Sequence, residues 1–393
     1  MEKDWRWFGR KDRITLPMLR QIGVEGIVTA LHDVPIGEVW TVAQISEVKD
    51  FIESFSLHWS VVESLPVSEV IKYAGPDRDV LIENYRKSLT NLGKCGIRTV
   101  CYNFMPVIDW IRTDLEYPSP DGSTSLYFDM AEFAYFDIYI LERKDARKSY
   151  SADVLRRVEN LAARFTEKDR ARLVDVIITK TQGFVNSNFA GTGFDPVALF
   201  RDMLKLFEGI TKDQLRENLR YFLAAVMPVC DEYGIDLCIH PDDPPMPVLG
   251  LPRIVTSAED IDWILKAVDN PHNGLTFCAG SLSSGAHNDL VPMAKKFAKR
   301  TRYVHLRSCD VLPGGNFVEA SHTAGRAHLV ELIRIFEKTN PMLPMRVDHA
   351  KTILGDGDRG YNPGYGFYGR MLALGQVDGM MAAVRNELEK KII

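Results

Sequence analysis

The chain has little of what marks several large classes of protein. Six cysteines in 393 residues, at 95, 101, 230, 238, 278 and 309, form no CxxC pair. Neither a disulfide framework nor a zinc finger is indicated, and each is expected to be a reduced thiol. No run of about eighteen apolar residues occurs, and the N-terminal MEKDWRWFGRKDR is charged throughout, without the apolar centre of a secretory signal. A cytoplasmic location with no membrane partner is expected. A net charge of −5 and no Lys/Arg block leave no electropositive field for a phosphate backbone, which argues against nucleic acid as a partner. No GxGxxG or P-loop follows the early apolar runs, which weakens a nucleotide-binding open sheet.

What is present is an ordinary globular composition, 46% hydrophobic and 26% charged, sufficient for a large core. Seven β-rich runs recur, at 24–31, 57–64, 97–105, 235–241, 275–280, 302–308 and 345–350. Several are nearly continuous apolar stretches, as in strands covered on both faces of a parallel sheet. Helical patterns lie between most of them. Leu81, Tyr85, Leu89 and Leu92 form a stripe that ends at Gly96. Ser257-Ala-Glu-Asp260 resembles a capping box, and residues 292–301 supply the single helix expected between 280 and 302.

The βαβα order predicts an α/β protein, a (β/α)₈ TIM barrel forming one domain over 1–393. The eighth strand is expected in GFYGRMLALG (366–375), the remaining place for it. The gap after the third run is far longer than a crossover helix needs. Residues 107–234 are therefore read as a helical insertion with its return helix, starting from the rim that carries chemistry in such barrels and capping the mouth. Within it 114–129 carries turn chemistry, and Thr211-x-x-Gln214 to Gly234 brackets a helix. A purely structural or oligomer-forming appendage is the alternative.

Four successive strand ends bring one donor each to that rim: His240, Cys278, His305 and Asp348. Taken singly, each is an ordinary strand-end or core residue. Spaced one strand, helix and loop apart, they are a ligand set for one divalent transition ion, the thiolate speaking against magnesium or calcium. Arg307, two residues past His305, either clamps an anionic substrate or pairs with Asp242, Asp243 or Asp348. His349 and Tyr365 lie beside Asp348 and in the NPGYGFYGR loop beyond it, next to the expected ion.

Long strings then carry a family resemblance: WRWFG (5–9), GIVTALHDVPIGEVW (26–40), GIRTVCYNFMPVIDWIRTDLEY (96–117), HPDDPPMPVLGLPRIV (240–255), FCAGS (277–281), YVHLRS (303–308), MRVDHA (345–350) and NPGYGFYGR (362–370). Through them the sequence resembles mannonate dehydratases over essentially its whole length. The resemblance implies a xylose-isomerase-like barrel, one Mn²⁺ or Fe²⁺ ion, and loss of water from D-mannonate to give 2-dehydro-3-deoxy-D-gluconate in hexuronate breakdown. It implies metal ligands at His240, Cys278, His305 and Asp348, with His349 and Tyr365 in catalysis. EASHTAGRAH (319–328) departs from the more acidic family string, so His322 is given no role. The expected partners are the small sugar acid and further copies of the chain. A metal-dependent sugar isomerase on the same barrel and a non-catalytic sugar-acid-binding protein are the rival readings.

Overall fold

The structure, a computed structural model, describes residues 1–182 and 195–390. Residues 183–194, inside the span read as an insertion, and 391–393, at the end of the expected barrel domain, lie outside the described residues. Among the described residues twelve strands occur: β1 (Glu2–Arg6), β2 (Gly26–Thr29), β3 (His58–Glu63), β4 (Thr99–Tyr102), β5 (Asp114–Pro118), β6 (Thr124–Phe128), β7 (Asp236–Ile239), β8 (Asn273–Cys278), β9 (Thr301–His305), β10 (Cys309–Leu312), β11 (Asn316–Glu319) and β12 (Pro344–Arg346). Eight of them close a parallel barrel in the order β1-β12-β9-β8-β7-β4-β3-β2.

The eighth strand is not where the sequence reading put it. Residues 367–390 form a helix, Phe367–Lys390, and the closing strand is β1, which pairs with both β2 and β12. Its sequence, EKDWR, looks like a charged tail. Yet Asp4, Trp5 and Arg6 are all buried, because a strand whose polar side chains reach into a barrel or onto its rim need not be apolar. The strand before the insertion, third by sequence, is thus the fourth of the barrel.

Barrel closure fills the interior with side chains rather than leaving a channel. Val28, Val61, Cys101, Cys238 and Tyr303 form one such cluster, and Cys101 and Cys238 stand opposite each other in the β4–β7 register. A larger apolar core lies where the strands meet the helices. Helix Arg78–Lys94 contributes Tyr85, Leu89 and Leu92 to it, and truncating a buried leucine such as Leu89 to alanine costs about 2–5 kcal/mol. Helix Lys212–Tyr233 packs alongside, started by a full Thr211/Gln214 capping box and stopped at Gly234, whose φ of 64° favours glycine.

Two local expectations are modified. Ser257 caps helix Ala258–Ala267 through the Asp260 amide, but the Asp260 carboxylate accepts from Thr256 instead of completing the box. Between β8 and β9 two short helices form, Ala279–Ser284 and Leu290–Phe297, in place of one.

The segment between β4 and β7 is not purely helical. The stretch with turn chemistry is a β5–β6 hairpin, and β6 pairs with β11 to give a four-stranded antiparallel sheet, β10-β11-β6-β5. This sheet and the helices after it share their own apolar cluster, which includes Ile108, Phe128, Phe133, Phe136, Phe200 and Phe317. The β10–β11 ribbon leaves the barrel just past β9, so the join brings the inserted residues to the strand ends that carry His305 and Arg307. No helix among the described residues is long and apolar enough to cross a membrane.

Candidate metal and proton-transfer site

At the C-terminal ends of the strands lies a cavity of about 370 Å³, lined by Arg6, His32, Glu63, Asn103, Asp109, Trp110, His240, Asp243, Arg307, Arg346, Asp348, His349 and Tyr365, among others. Its donors come from strand ends. Cys278 and His305 are the last residues of β8 and β9, and His240 follows β7 directly. Asp348 lies two residues past β12, with a φ of 54° that turns the chain at the rim.

Ligand-capable atoms of His240, Cys278 and His305 all fall within 4.8 Å of one another. The imidazole nitrogens face each other, His240 Nε2 to His305 Nδ1, at 3.3 Å. Two nitrogens bound to one transition ion lie roughly 3–3.5 Å apart, so the spacing fits. His240 Nδ1 is occupied by the Pro241 carbonyl at 2.7 Å, which orients the ring with Nε2 inward. His305 Nε2 stands 3.5 Å from Glu63, beyond a hydrogen bond but close enough for the carboxylate to attract that side of the ring. Asp348 Oδ2 is 3.7 Å from His305 Nδ1 and 3.8 Å from Cys278 Sγ. The fourth expected donor therefore adjoins the cluster from its arginine-bound side.

The electrostatics favour a thiolate. Burial alone raises a thiol, but the charges of Arg307, His240 and His305 overcome it and hold Cys278 well below the ordinary range. Ser281 Oγ donates to the sulfur at 3.1 Å. Burial opposes charge on His240 as well, and the adjacent thiolate outweighs it, raising the imidazole to about 10.

Around the donors runs a buried network of ion pairs. Arg346 makes a bidentate pair with Glu63, at 3.0 and 2.8 Å, and also reaches Asp348. Arg307 binds Asp243 at 2.7 Å, Asp348 at 2.9 Å and Glu319. Arg112, from the inserted segment, binds Asp243 at 2.8 Å and Glu319. Counted together, three guanidiniums face four carboxylates and one thiolate. With both imidazoles neutral, as metal ligands must be, the network is left with two negative charges, which a divalent cation cancels.

Of the two readings offered for Arg307, the contacts favour pairing: its guanidinium meets three carboxylates and lies against His349 Nδ1 at 3.2 Å and Ser281 Oγ at 3.1 Å, although the residue borders the cavity. Gly280 makes room for it, since a Cβ there would collide with the guanidinium. Asp243 links Arg112, Arg307 and Ser281, while Asp242 holds Arg253 and the Val255 amide.

His349 Nδ1 lies 3.0 Å from Glu319 Oε1. Arg307 Nη1 stands 3.2 Å from the same Nδ1, so that nitrogen faces a carboxylate and a guanidinium together, while Nε2 lies 3.9 Å from Asp348. Tyr365 meets the His349 ring edge-on, centroids 5.0 Å apart, and its hydroxyl donates to Asp348 at 3.3 Å. Burial raises the phenol well above its ordinary value, only partly offset by Arg346, so it keeps its proton. His322, given no role above, is buried and bonded to the Val347 carbonyl at 2.7 Å, bracing the backbone just before Asp348.

Glu63, Glu319, Arg346, Arg112 and Arg6 were not picked out by sequence. Glu63, Arg346 and Arg6 end strands β3, β12 and β1, so the rule that found His305 would have found them. Glu319 and Arg112 carry no such signal, being in a surface ribbon and a loop.

Comparison with known proteins agrees with this geometry. Residues 1–391 match the family described as D-mannonate dehydratase (UxuA). A mannonate dehydratase of Marinomonas sp. (strain MWYL1) is 44% identical over 99% of this chain and 100% of its own length, and one of Chromohalobacter salexigens is 44% identical over 98% and 99%. The crystal structure of mannonate dehydratase from Streptococcus suis serotype 2 superimposes with a TM-score of 0.78 at 34% identity, covering 99% of this chain and 96% of that one. A xylose isomerase domain protein from Planctomyces limnophilus, 8% identical with a TM-score of 0.50 over 98% of each chain, shares the fold alone. The chain belongs to the D-mannonate dehydratase family, a family of hydro-lyases.

Proposed function

We propose that this protein removes water from D-mannonate to give 2-dehydro-3-deoxy-D-gluconate, with His240, Cys278, His305 and Asp348 holding one Mn²⁺ or Fe²⁺ ion. The reading is carried by one observation: His240 and Asp348, two members of a mixed nitrogen, sulfur and carboxylate donor set, line a cavity with His349 and Tyr365, and Cys278 and His305 adjoin them. When bound, such an ion supplies Lewis acidity to substrate oxygens.

The reaction breaks the C2–H and C3–O bonds and forms a C2=C3 enol, which becomes the 2-keto-3-deoxy acid. A base must take the C2 proton, and an acid must protonate the departing hydroxyl. His349 suits the first task because Glu319, 3.0 Å from Nδ1, would accept a proton placed there and stabilise the imidazolium that forms when Nε2 takes up the C2 proton. Tyr365 suits the second because burial keeps its phenol protonated. Trp110, packed 4.9 Å from the His349 ring, helps keep water from it.

An isomerase on this barrel would need no acid placed for a leaving hydroxyl, and a binding protein would need neither group. Metal-loaded protein is expected to convert D-mannonate to a 2-keto-3-deoxy acid. His349→Asn is expected to lower kcat by about 10²–10⁴-fold with metal content unchanged. An isomerised sugar as product, or no turnover with Mn²⁺ or Fe²⁺ bound, would overturn the proposal.

A further inference from the structure

Three arginines border the cavity, and they are not equivalent. Arg307 and Arg346 are spent on carboxylates, as described above. Arg6, the last residue of β1, is 7% exposed and lines the same cavity. Its Nη1 is fully buried and hydrogen-bonded to nothing among the described residues. The nearest carboxylate, Glu63, stands 3.8 Å away and already takes a bidentate pair from Arg346 and a hydroxyl from Tyr303 at 3.0 Å.

A buried guanidinium with a donor left open is costly unless a partner arrives. Charge points to the kind of partner. With a dication, the network around the strand ends is neutral. Arg6 then stands over the cavity as a single positive charge. The neighbouring His32 adds none, because burial and the charge of Arg6 hold its imidazole down at about 3. Asp109, on the insertion side of the cavity, accepts from Asn103 at 2.8 Å, and burial raises its carboxyl.

We propose that Arg6 is the residue that binds the substrate's carboxylate, its open guanidinium edge taking the anionic end of the sugar acid. The inference rests on the dehydratase reading and deepens it: the anion is recognised from β1, two strands round the barrel from the β9 end that precedes Arg307, and it makes the site selective for acids over neutral sugars. Phe8, whose ring lies 5.3 Å from the guanidinium carbon, limits the directions in which Arg6 can turn.

The test uses the metal-loaded full chain and D-mannonate. Arg6→Ala is expected to raise KM tenfold or more while metal content is kept, and millimolar guanidinium chloride is expected to restore much of the loss. Arg6→Lys, which keeps the charge and loses the fork, is expected to fall between parent and alanine variant. Should the alanine variant fail to fold, the KM of Arg6→Lys decides alone. A KM within twofold of the parent in a folded variant, or a raised KM that added guanidinium does not lower, overturns the assignment. If the parent itself fails to turn over D-mannonate, the dehydratase reading falls first, so the two failures are separable.

Discussion

Replacing Glu319 with glutamine isolates the proton-transfer half of the site, because Glu319 does not border the cavity and acts on the reaction through His349. Its Oε1 receives His349 Nδ1 at 3.0 Å and the guanidiniums of Arg112 and Arg307. At that distance a carboxylate and an imidazolium attract by about 5.5 kcal/mol for an effective dielectric constant near 20. Two arginines on the same oxygen already compensate much of the charge, so about half of this, ~2.7 kcal/mol, is the stabilisation the new imidazolium loses. That is about a hundredfold in rate. Glu319→Gln is therefore expected to lower kcat about 10²-fold, with KM and metal content near those of the parent. The substitution also removes countercharge from two buried guanidiniums, which costs about 3–5 kcal/mol of stability, so kcat is normalised to folded protein by near-UV circular dichroism. Glu319→Asp, which keeps the charge, should be the better-folded and faster of the two. A metal-loaded, folded glutamine variant turning over within threefold of the parent would refute the role given to Glu319 and weaken that of His349.

Cys278→Ser exchanges a thiolate for a hydroxyl that stays protonated, and should weaken binding of Fe²⁺ or Zn²⁺ by tenfold or more in a competition titration with a chromophoric chelator; unchanged affinity would remove Cys278 from the ligands. Acid should unfold the chelator-stripped protein in a defined window. Burial opposes ionisation of Glu319, but Arg307, His349 and Arg112 prevail and lower it to about 2, and Asp243 is lowered likewise by Arg112 and Arg307. Their unfolded values lie near 4, so the stability they contribute is complete above about pH 5 and is lost as pH falls through the folded values. The urea midpoint should fall steeply between pH 5 and pH 3, and an equal midpoint at pH 5 and pH 3 would contradict the network.

The parts legible in sequence were those that follow local rules. Apolar runs gave seven strands, and helix signals at Thr211 and Gly234 gave the long helix before β7. The first strand was missed because its alternation of charged and aromatic residues imitates an exposed tail, and only closure against β2 and β12 shows where Asp4 and Arg6 go. The β5–β6 hairpin was missed because its strands are short, half-exposed and separated by a Pro/Gly turn. Its partner, β11, lies nearly two hundred residues away, and no local pattern announces a pairing at that distance.

The site shows the same division between local and distant information. Arg6, Glu63, Cys278, His305 and Arg346 are final residues of five barrel strands, and His240 follows a sixth. Barrel geometry gathers such residues at one rim, so spacing along the chain can find the donors before any coordinates exist. What spacing cannot give is which charge pairs with which. Arg307 looks like an anion clamp until Asp243 and Glu319 are seen around it. Glu319 arrives on a ribbon outside the barrel, and Arg112 from the inserted segment binds the same two carboxylates. Those two arginines tie the ribbon, the insertion and the turn after β7 into one buried arrangement, so the atoms that contact His349 Nδ1 also hold the inserted chain against the rim. A substitution at Arg112 is therefore expected to disturb catalysis and packing together. Arg6 lies outside that knot, 3.8 Å from Glu63, so a substitution there is expected to fall on substrate binding more than on packing.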